Sequence, residues 1–290
     1  MTDSEYFALE ALSQSGAKLL LQSPMAYRHD RDNPRTDDLP QFALGRAVHT
    51  FALQPHLSGQ FSPGPDLSGC KTKDGKPTTN PMADSVKAAT AAFLAANPGV
   101  TVLGADDYTA AQAMAQAALD APSPLSGLTL RDLLTLQSAR VEEAIVWEDR
   151  ETDAPCKAKL DAVFTLPDDS VVVVDLKTTR SALTKRALTQ AVVNFGYEKQ
   201  AAWYLQALAQ GEVNDAQLWF VFVQKAAPYE VAWIQLDGDA LTQGAQQMRA
   251  ATQIYAACVK SGNWPSAQAA GLLPSVLSLP KWFHGDLDEE

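Results

Sequence analysis

The length, composition and charge of the chain exclude several classes of protein. Its 290 residues are 46% hydrophobic, with the apolar residues in many short runs, so they can form one enlarged globular domain and are not a disordered segment. No apolar run approaches the roughly 18 residues that cross a bilayer, and the N-terminus is acidic where a secretory signal is basic. We therefore expect a cytosolic protein without membrane association.

Net charge and its distribution bear on whether the chain binds nucleic acid. The formal net charge of −11 is unfavourable for phosphate contacts, which need Lys and Arg. Net charge describes solubility rather than local fields, and some of the acidity lies in the tail, 286–290. Basic residues cluster elsewhere, at Lys71, Lys73 and Lys76 and again at Lys177, Arg180, Lys185 and Arg186. Of these residues, Lys71, Lys73, Lys76, Arg180 and Lys185 are candidate DNA contacts.

The cysteines Cys70, Cys156 and Cys258 are far apart in the sequence and lack CxxC spacing. This pattern argues against a disulfide framework, a zinc site and a four-cysteine iron–sulfur cluster. We expect free, buried thiols.

The N-terminal region of the chain carries helical patterns. Residues 8–22 predict a helical segment with Ser13 as a cap, ended by Ser23-Pro24. Residues 40–54 predict a second helix, on which Gly45 and His49 are four apart and share a stripe.

A long irregular segment separates this helix from the next. Residues 55–82 are rich in Pro, Gly, Ser, Lys and Thr, which predicts a mobile basic loop that faces the substrate. Residues 83–120 then predict further helix, interrupted at Asn97-Pro98-Gly99 and capped by Asp106.

The pattern changes to period two near residue 142 and predicts a sheet. The predicted strands are 142–149, 156–166, 171–178, 216–224 and 229–236, and the predicted helices are 183–210 and 238–261. Turn residues separate the first three strands, which favours an antiparallel meander. The order of strands, crossover helix and further strand is typical of an α/β sandwich.

An acidic residue and a lysine end the run of four valines in the third strand. Asp175 and Lys177 point to the same face because they are two apart. Asp161 lies on the preceding strand, and its face depends on the hairpin register. A three-residue loop places Asp161 opposite Asp175 if the loop is 167–169, and opposite Lys177 if it is 168–170. Either register brings the three groups within about 5 to 8 Å on one face, whereas a four-residue loop without a bulge would separate them.

The pair Asp161 and Asp175 indicates metal-dependent chemistry. Two carboxylates this close repel each other unless a cation lies between them, which favours a hard divalent ion, Mg²⁺ with Mn²⁺ as a substitute. The neighbouring lysine can activate water, orient it toward phosphorus or neutralise the charge that develops there. This combination is typical of phosphodiester hydrolysis, and a surface salt-bridge cluster is the alternative.

Four motifs in this order resemble those of a nuclease superfamily. Ala158-Lys159-Leu160-Asp161 and Val174-Asp175-Leu176-Lys177 resemble motifs II and III of PD-(D/E)xK nucleases, in the less usual D-x-K form. Gly45 to His49 resembles the GxxxH helix of the RecB/RecE-like branch, and Gln200 to Tyr204 its QxxxY helix. The likeness is greatest to the RecE-type nuclease domain of exodeoxyribonuclease VIII. It extends to 13–18, Ser23-Pro24, Trp264-Pro265 and 279–282.

This resemblance implies a fold and an activity. The expected fold is α/β, a restriction-endonuclease-like core with a mixed central sheet flanked by helices and an N-terminal helical extension. We expect a single domain over 1–290, in which residues 1–140 are mainly helical, residues 141–262 form the catalytic sheet and its helices, and residues 263–290 are a tail. The implied activity is processive, Mg²⁺-dependent 5′→3′ digestion of double-stranded DNA ends, which leaves 3′ single strands for recombination. A ring-shaped trimer or tetramer and a RecT-like single-strand annealing partner are implied too.

The resemblance also implies roles for individual residues. Asp161 and Asp175 bind the metal, His49 completes the metal site and Lys177 activates water. Gln200 and Tyr204 hold the DNA backbone or position the lysine. Plain packing remains the alternative for these two residues and for His49. The D-x-K form leaves the number of metal ions open, at one or two, and the chain lacks the four cysteines of the iron–sulfur subgroup.

Further residues and functions remain open on the sequence alone. Glu142 and Glu143 begin the first strand, and either is a candidate for an additional acidic group, with solvent exposure as the alternative. The rival functions are an endonuclease or single-strand nuclease on the same site, a DNA-binding or assembly module without activity, and an unrelated cytosolic binding protein.

Overall fold

A computed structural model describes residues 1–34, 40–125, 127–211, 213–276 and 278. The motif at 279–282 and the acidic tail at 286–290 lie outside the described residues. Among the helices that are described, none is long and apolar enough to cross a membrane.

The N-terminal segment contains α1 (Asp3–Ala8), α2 (Gln14–Leu20) and α3 (Pro24–Asp32). The prediction of helix over 8–22 is therefore only partly right. Ser13 caps α2 as predicted, because its hydroxyl accepts a hydrogen bond from the Gly16 N–H at 3.1 Å. Ser23 and Pro24 do not simply end a helix but begin α3, since proline suits the first helical position, where its missing N–H needs no partner.

The helical extension continues with α4 (Pro40–Leu53), a 3₁₀ turn (Pro55–Gln60), β1 (Phe61–Ser62), α5 (Asp84–Ala96), β2 (Thr101–Val102), α6 (Ala105–Asp120) and α7 (Leu130–Leu134). The predicted helix over 40–54 is confirmed. The predicted loop 55–82 contributes β1, which pairs in parallel with β2.

Asp106 is not the cap of α6, because Gly104 occupies that position. Asp106 lies in the first turn instead, where a negative charge favours the helix dipole.

The central sheet contains β3 (Arg140–Glu148), β4 (Pro155–Thr165), β5 (Val171–Thr179), β6 (Gln217–Gln224) and β7 (Val231–Ile234). Within the described ranges the five strands lie in this order, antiparallel except for the parallel pair β5 and β6. The predicted meander and mixed sheet are confirmed.

The crossover between β5 and β6 consists of α8 (Lys185–Phe195) and α9 (Tyr197–Ala209), and α10 (Gly238–Ser261) follows β7. The predicted single helix over 183–210 is thus two helices. Gly196 separates them with a φ of 63°, a left-handed conformation that glycine adopts without strain.

Hydrophobic cores cover both faces of the sheet. Within the described residues, the first core lies between the sheet and α2, α3, α9 and α10, and it buries Trp203, Phe220 and Met248. The second core lies between the sheet and α4, α6 and α7, and it buries Phe164 and Leu176. The cysteines are free and buried, as predicted.

The alternation of side chains along β4 reverses at Asp161. Even-numbered residues lie in the first core before this point and in the second core after it, namely Cys156, Ala158 and Leu160, then Ala162 and Phe164. No residue is inserted, because β3 and β4 keep the same register on both sides. The reversal coincides with Glu142, which lies opposite Asp161. The φ of Glu142 is 55°, which is strained for a residue with a side chain.

Candidate active site

The register of the β4–β5 hairpin decides which residues meet Asp161. Ala162 pairs with Val174, and the Leu166 N–H donates to the Ser170 carbonyl at 2.9 Å, so the loop is 167–169. The first of the two predicted registers is therefore confirmed, and it places Asp161 opposite Asp175. The backbone ladder between β4 and β5 ends at the pair Ala162 and Val174, one step before the two acidic residues.

Beyond this point, side chains replace β4 as the hydrogen-bond partners on that side of β5, while the pairing of β5 with β6 continues. The Leu176 N–H donates to Asp161 Oδ2 at 2.9 Å, and the Leu176 carbonyl lies 2.5 Å from His49 Nε2. Asp161 consequently lies in the gap between the strands. His49, at the tenth position of α4, ties the helical extension to the catalytic region of the sheet.

The imidazole of His49 is oriented for metal binding. When Nε2–H donates to the Leu176 carbonyl, Nδ1 of the neutral ring carries a lone pair, and Nδ1 lies 3.5 Å from Asp161 Oδ2. Metal-binding histidines commonly donate their other ring N–H to a backbone carbonyl in this way. A lone pair that faces a carboxylate oxygen is an arrangement that a cation would stabilise.

Glu142 joins this pair from the neighbouring strand. Among the described residues, ligand atoms of His49, Glu142 and Asp161 all lie within 4.8 Å of one another. Lys159 Nζ lies 2.7 Å from Glu142 Oε2. Glu143 forms an ion pair with Arg140 at 3.5 Å instead. Of the two glutamates that the sequence left open, the structure thus brings Glu142 to the site, and the strand register opposite Asp161 is the signal that identifies it.

Asp175 is fully buried and belongs to a neighbouring set of contacts. Lys177 Nζ lies 2.5 Å from Asp175 Oδ1, and Gln200 Nε2 donates to Oδ2 at 2.6 Å. Both carboxylate oxygens of Asp175 therefore have a partner among the described residues, Lys177 at Oδ1 and Gln200 at Oδ2. Asp175 is not included in the 4.8 Å group, so the predicted set of His49, Asp161 and Asp175 is only partly brought together.

The electrostatics of the site show an excess of negative charge around Asp161. Burial, together with the Asp175 carboxylate, raises the pKa of Asp161 to about 6. Burial lowers the pKa of Lys177, but Asp175 and Asp161 raise it more, so the net shift is upward. A buried carboxyl that resists ionisation, beside further acidic groups and an imidazole lone pair, fits a divalent cation.

Gln200 and Tyr204 lie one turn apart on α9 and contact each other. Gln200 Nε2 is 3.0 Å from Tyr204 Oη in addition to its bond with Asp175. The structure therefore connects Gln200 to the carboxylate that pairs with the lysine, rather than to Lys177 directly. Tyr204 is buried, and burial raises its pKa well above the usual value. It lines a cleft of about 360 Å³ together with Ser13, Gln14, Arg31, Lys157 and Lys159.

The predicted DNA-contact residues lie in the long loop 55–82, directly after β5 and at the start of α8. Lys71 is bridged to Pro77 within the long loop, and Lys73 lies 3.7 Å from Asp84 on α5, with both side chains exposed. Lys76 belongs to the same turn, since its N–H donates to the Thr72 hydroxyl. Arg180, which directly follows β5, and Lys185, the first residue of α8, are exposed. Their contact with DNA stays a prediction.

Comparisons with known proteins identify one matching family and one solved structure of similar fold. Residues 13–271 match the family described as a PDDEXK-like domain of unknown function, DUF3799. The crystal structure of a "putative exonuclease" from Eubacterium rectale is similar in fold, at 13% identity over 100% of this chain and 99% of that chain, with a TM-score of 0.55. The structure of SSO0001 matches 42% of this chain and 55% of that chain at 17% identity and a TM-score of 0.28. No curated protein matches the chain.

The family match covers most of the chain, and it includes every residue of the site just described. The fold agrees with it, because a mixed sheet flanked by helices presents the D-x-K motif at the open end of a hairpin. The predicted superfamily and fold class are confirmed. The chain belongs to the PDDEXK-like family DUF3799 and thus to the PD-(D/E)xK nuclease superfamily.

Proposed function

We propose that this nuclease is a Mg²⁺-dependent exodeoxyribonuclease that digests the ends of double-stranded DNA in the 5′→3′ direction and leaves 3′ single strands for recombination. The observation that carries the proposal is the meeting of His49, Glu142 and Asp161 where β4 and β5 separate, beside the buried Asp175 and its partner Lys177. Acidic groups, an imidazole and a lysine together suit the hydrolysis of a phosphodiester.

The cation would be held by His49 Nδ1 and by the carboxylates of Glu142 and Asp161, with Asp175 at their side. Bound there, Mg²⁺ supplies Lewis-acid activation of the phosphate and of the attacking water. Manganese suits the same oxygen and nitrogen ligands and is the expected substitute. Leu176 fixes the orientation of both His49 and Asp161 through its backbone, so the ligand geometry does not depend on flexible side chains alone.

Lys177 acts as a cation at this site. The upward shift of its pKa keeps the ammonium protonated near neutral pH, so it donates to water and to the phosphate and does not accept a proton. Asp175 holds the ammonium, and Gln200 holds Asp175 from α9. This chain of contacts lets Lys177 orient the attacking water and neutralise the charge that develops on the phosphate.

The preference for DNA ends, the polarity and the partners are supported by the RecE-like motifs. We include in the proposal a ring-shaped homo-oligomer, trimer or tetramer, because a ring that encloses duplex DNA accounts for processive digestion. A RecT-like annealing protein is the corresponding partner for the 3′ single strands. Lys71, Lys73, Lys76, Arg180 and Lys185 are the proposed contacts to the DNA backbone.

Digestion of linear and closed-circular duplex DNA tests the function. The purified protein should degrade only the linear DNA, with Mg²⁺ and not with EDTA, and Lys177→Ala should be inactive. Labels at the 5′ or the 3′ end then report polarity, since 5′→3′ digestion releases the 5′ label first. Cleavage of the circle would make the protein an endonuclease. DNA binding without cleavage of either substrate would make it a binding module.

A further inference from the structure

Lysines from separate elements gather beside the proposed nuclease site. Lys18 on α2 and Lys199 on α9 both approach Gly196, where Lys18 Cδ and Lys199 Nζ lie 3.1 Å and 3.3 Å from the position that a Cβ would occupy. Lys177 Nζ lies 5.4 Å from the ring centroid of Tyr197, the residue that follows Gly196. The α8–α9 junction is thus surrounded by ammonium groups, one of which belongs to the catalytic motif.

Carboxylates compensate only some of this positive charge. Glu198 pairs with Lys199, and Asp175 pairs with Lys177. The region of the chain that the structure describes includes no ion-pair partner for Lys18, whose Nζ donates to the Phe195 carbonyl at 2.8 Å. An ammonium has three donors, so this bond leaves Lys18 able to bind further acceptors.

The cluster is unfavourable for the protein on its own. Burial, and then the positive charges of Lys177 and Lys199, lower the pKa of Lys18 to about 8. A half-buried side chain beside other ammonium groups is an unusual position for a lysine that serves only solubility, because such a lysine is normally exposed. An anion that enters between these groups would relieve their repulsion.

We propose that Lys18 and Lys199 bind a backbone phosphate of the DNA strand next to the phosphate that is cleaved. The proposal rests on the proposed nuclease function, because Lys177 marks where the cleaved phosphate lies. Phosphates follow one another at about 3.4 Å of axial rise along a strand, so a second phosphate necessarily lies near a bound first one. Lysine suits this task since it binds phosphate as a point charge without a fixed bidentate geometry.

This subsite would position the strand for each cut. A phosphate held by α2 and α9 fixes the distance between the strand and the carboxylates on β4 and β5, which is the role of binding groups remote from the reacting atoms. The two lysines are therefore positioning residues. Their loss should appear mainly in KM and in DNA affinity.

Neutral phosphate analogues test the contact directly. Blunt duplexes carry one uncharged methylphosphonate at a time near the end, and kcat/KM in Mg²⁺ and Kd in EDTA are measured for each duplex. The proteins are the wild type, Lys18→Gln, Lys199→Gln, the conservative Lys18→Arg and the control Lys87→Gln, whose lysine is exposed on α5. Thermal melting of each variant shows that it is folded.

One linkage other than the cleaved one should weaken wild-type kcat/KM and affinity about 10- to 100-fold when it is neutral, the loss expected for a hydrogen bond to a charged group. Lys18→Gln and Lys199→Gln should each weaken cleavage and binding of unmodified DNA, and each should show a smaller added loss at that linkage than the wild type, because only the other lysine still contacts it. Their binding should also have a salt slope lower by about one unit. Lys18→Arg and Lys87→Gln should keep the wild-type pattern.

Two results would overturn the phosphate contact while leaving the nuclease function intact. One is that the lysine substitutions and the neutral linkages reduce kcat/KM by independent factors at every linkage. The other is that the salt slope of the variants equals that of the wild type. If the wild type neither cleaves nor binds DNA, the proposed function itself fails and the subsite fails with it. If the wild type binds DNA without cleavage, the same scan in EDTA still decides the contact.

Discussion

The two ends of the β4–β5 hairpin differ although they belong to the same pair of strands. At the turn end, residues 162–165 and 171–174 form a regular antiparallel ladder, and Val163, Phe164 and Val173 are fully buried. At the open end the ladder stops, and Asp161, Asp175 and Lys177 replace the apolar residues. On the β4 side, the backbone of Leu176 binds the side chains of Asp161 and His49 instead of a strand, while the pairing of β5 with β6 continues.

This difference separates stability from activity within one hairpin. The turn end gains free energy from burial of apolar area and from satisfied backbone groups. The open end places acidic groups close together and holds Glu142 at a positive φ, both of which cost folding free energy. Close carboxylates and a positive φ outside glycine thus occur where the proposed chemistry requires them, and the stability of the adjoining ladder offsets their cost.

Loss of a carboxylate at the open end should have the largest effect. Asp161→Asn and Asp175→Asn should reduce cleavage of linear duplex DNA by at least about 10³-fold, because each removes a charge that the metal and Lys177 require. The free energy of unfolding of Asp161→Asn should not fall, since the substitution relieves repulsion between acidic groups. Chemical denaturation and a cleavage assay on the same samples measure both effects. An unfolded Asp161→Asn would contradict the separation of stability from activity between the two ends of the hairpin.

A substitution that creates a cavity at the turn end should lower stability and leave cleavage nearly unchanged. Phe164→Ala should lower the free energy of unfolding by about 3 to 5 kcal/mol, the usual cost of removing a buried aromatic ring. The cleavage rate per folded molecule at low temperature should stay within about threefold of wild type, since the change leaves every charged group in place. A large loss of kcat in fully folded Phe164→Ala would show that the two ends are coupled.

Metal binding should stabilise the open end selectively. At a concentration 100 times its Kd, Mg²⁺ should raise the free energy of unfolding by about 2.7 kcal/mol through binding to the folded state alone. The same increase should occur in Phe164→Ala and be lost in Asp161→Asn, as measured by thermal melting with Mg²⁺ or with EDTA. Equal stabilisation of all three proteins would place the ion elsewhere.

Two substitutions of Glu142 should have a smaller effect on cleavage, and their difference in stability tests the backbone strain at this position. Glu142→Gln and Glu142→Asn both remove the carboxylate and should reduce cleavage about 10- to 100-fold, as losses around a metal commonly do. Asparagine tolerates a positive φ better than glutamine, so Glu142→Asn should be more stable than Glu142→Gln by about 0.5 to 1 kcal/mol. Equal stability of the two variants, measured by denaturant titration, would mean that position 142 is not strained.

Patterns that depend on neighbouring residues were predictable from the sequence. The period-two strands, the free cysteines, the Ser13 cap and the helix over 238–261 follow from local spacing and agree with the structure. Errors occurred where one local signal allows two outcomes. Ser23-Pro24 can end a helix or begin one, and Gly196 can break a helix that is otherwise continuous in pattern.

The tertiary structure decided the details of the site. The sequence alone determined that Asp161, Asp175 and Lys177 lie on adjacent strands, since strand periodicity and turn residues act over a few positions. It did not determine which glutamate reaches Asp161, that side-chain alternation reverses there, or that Lys18 approaches Lys199. The first two outcomes depend on the register of β3 against β4 and on the backbone conformation of Glu142. The third, like the contact of His49 with Leu176, depends on how helices pack on the sheet, which joins residues more than 100 positions apart that no local pattern connects.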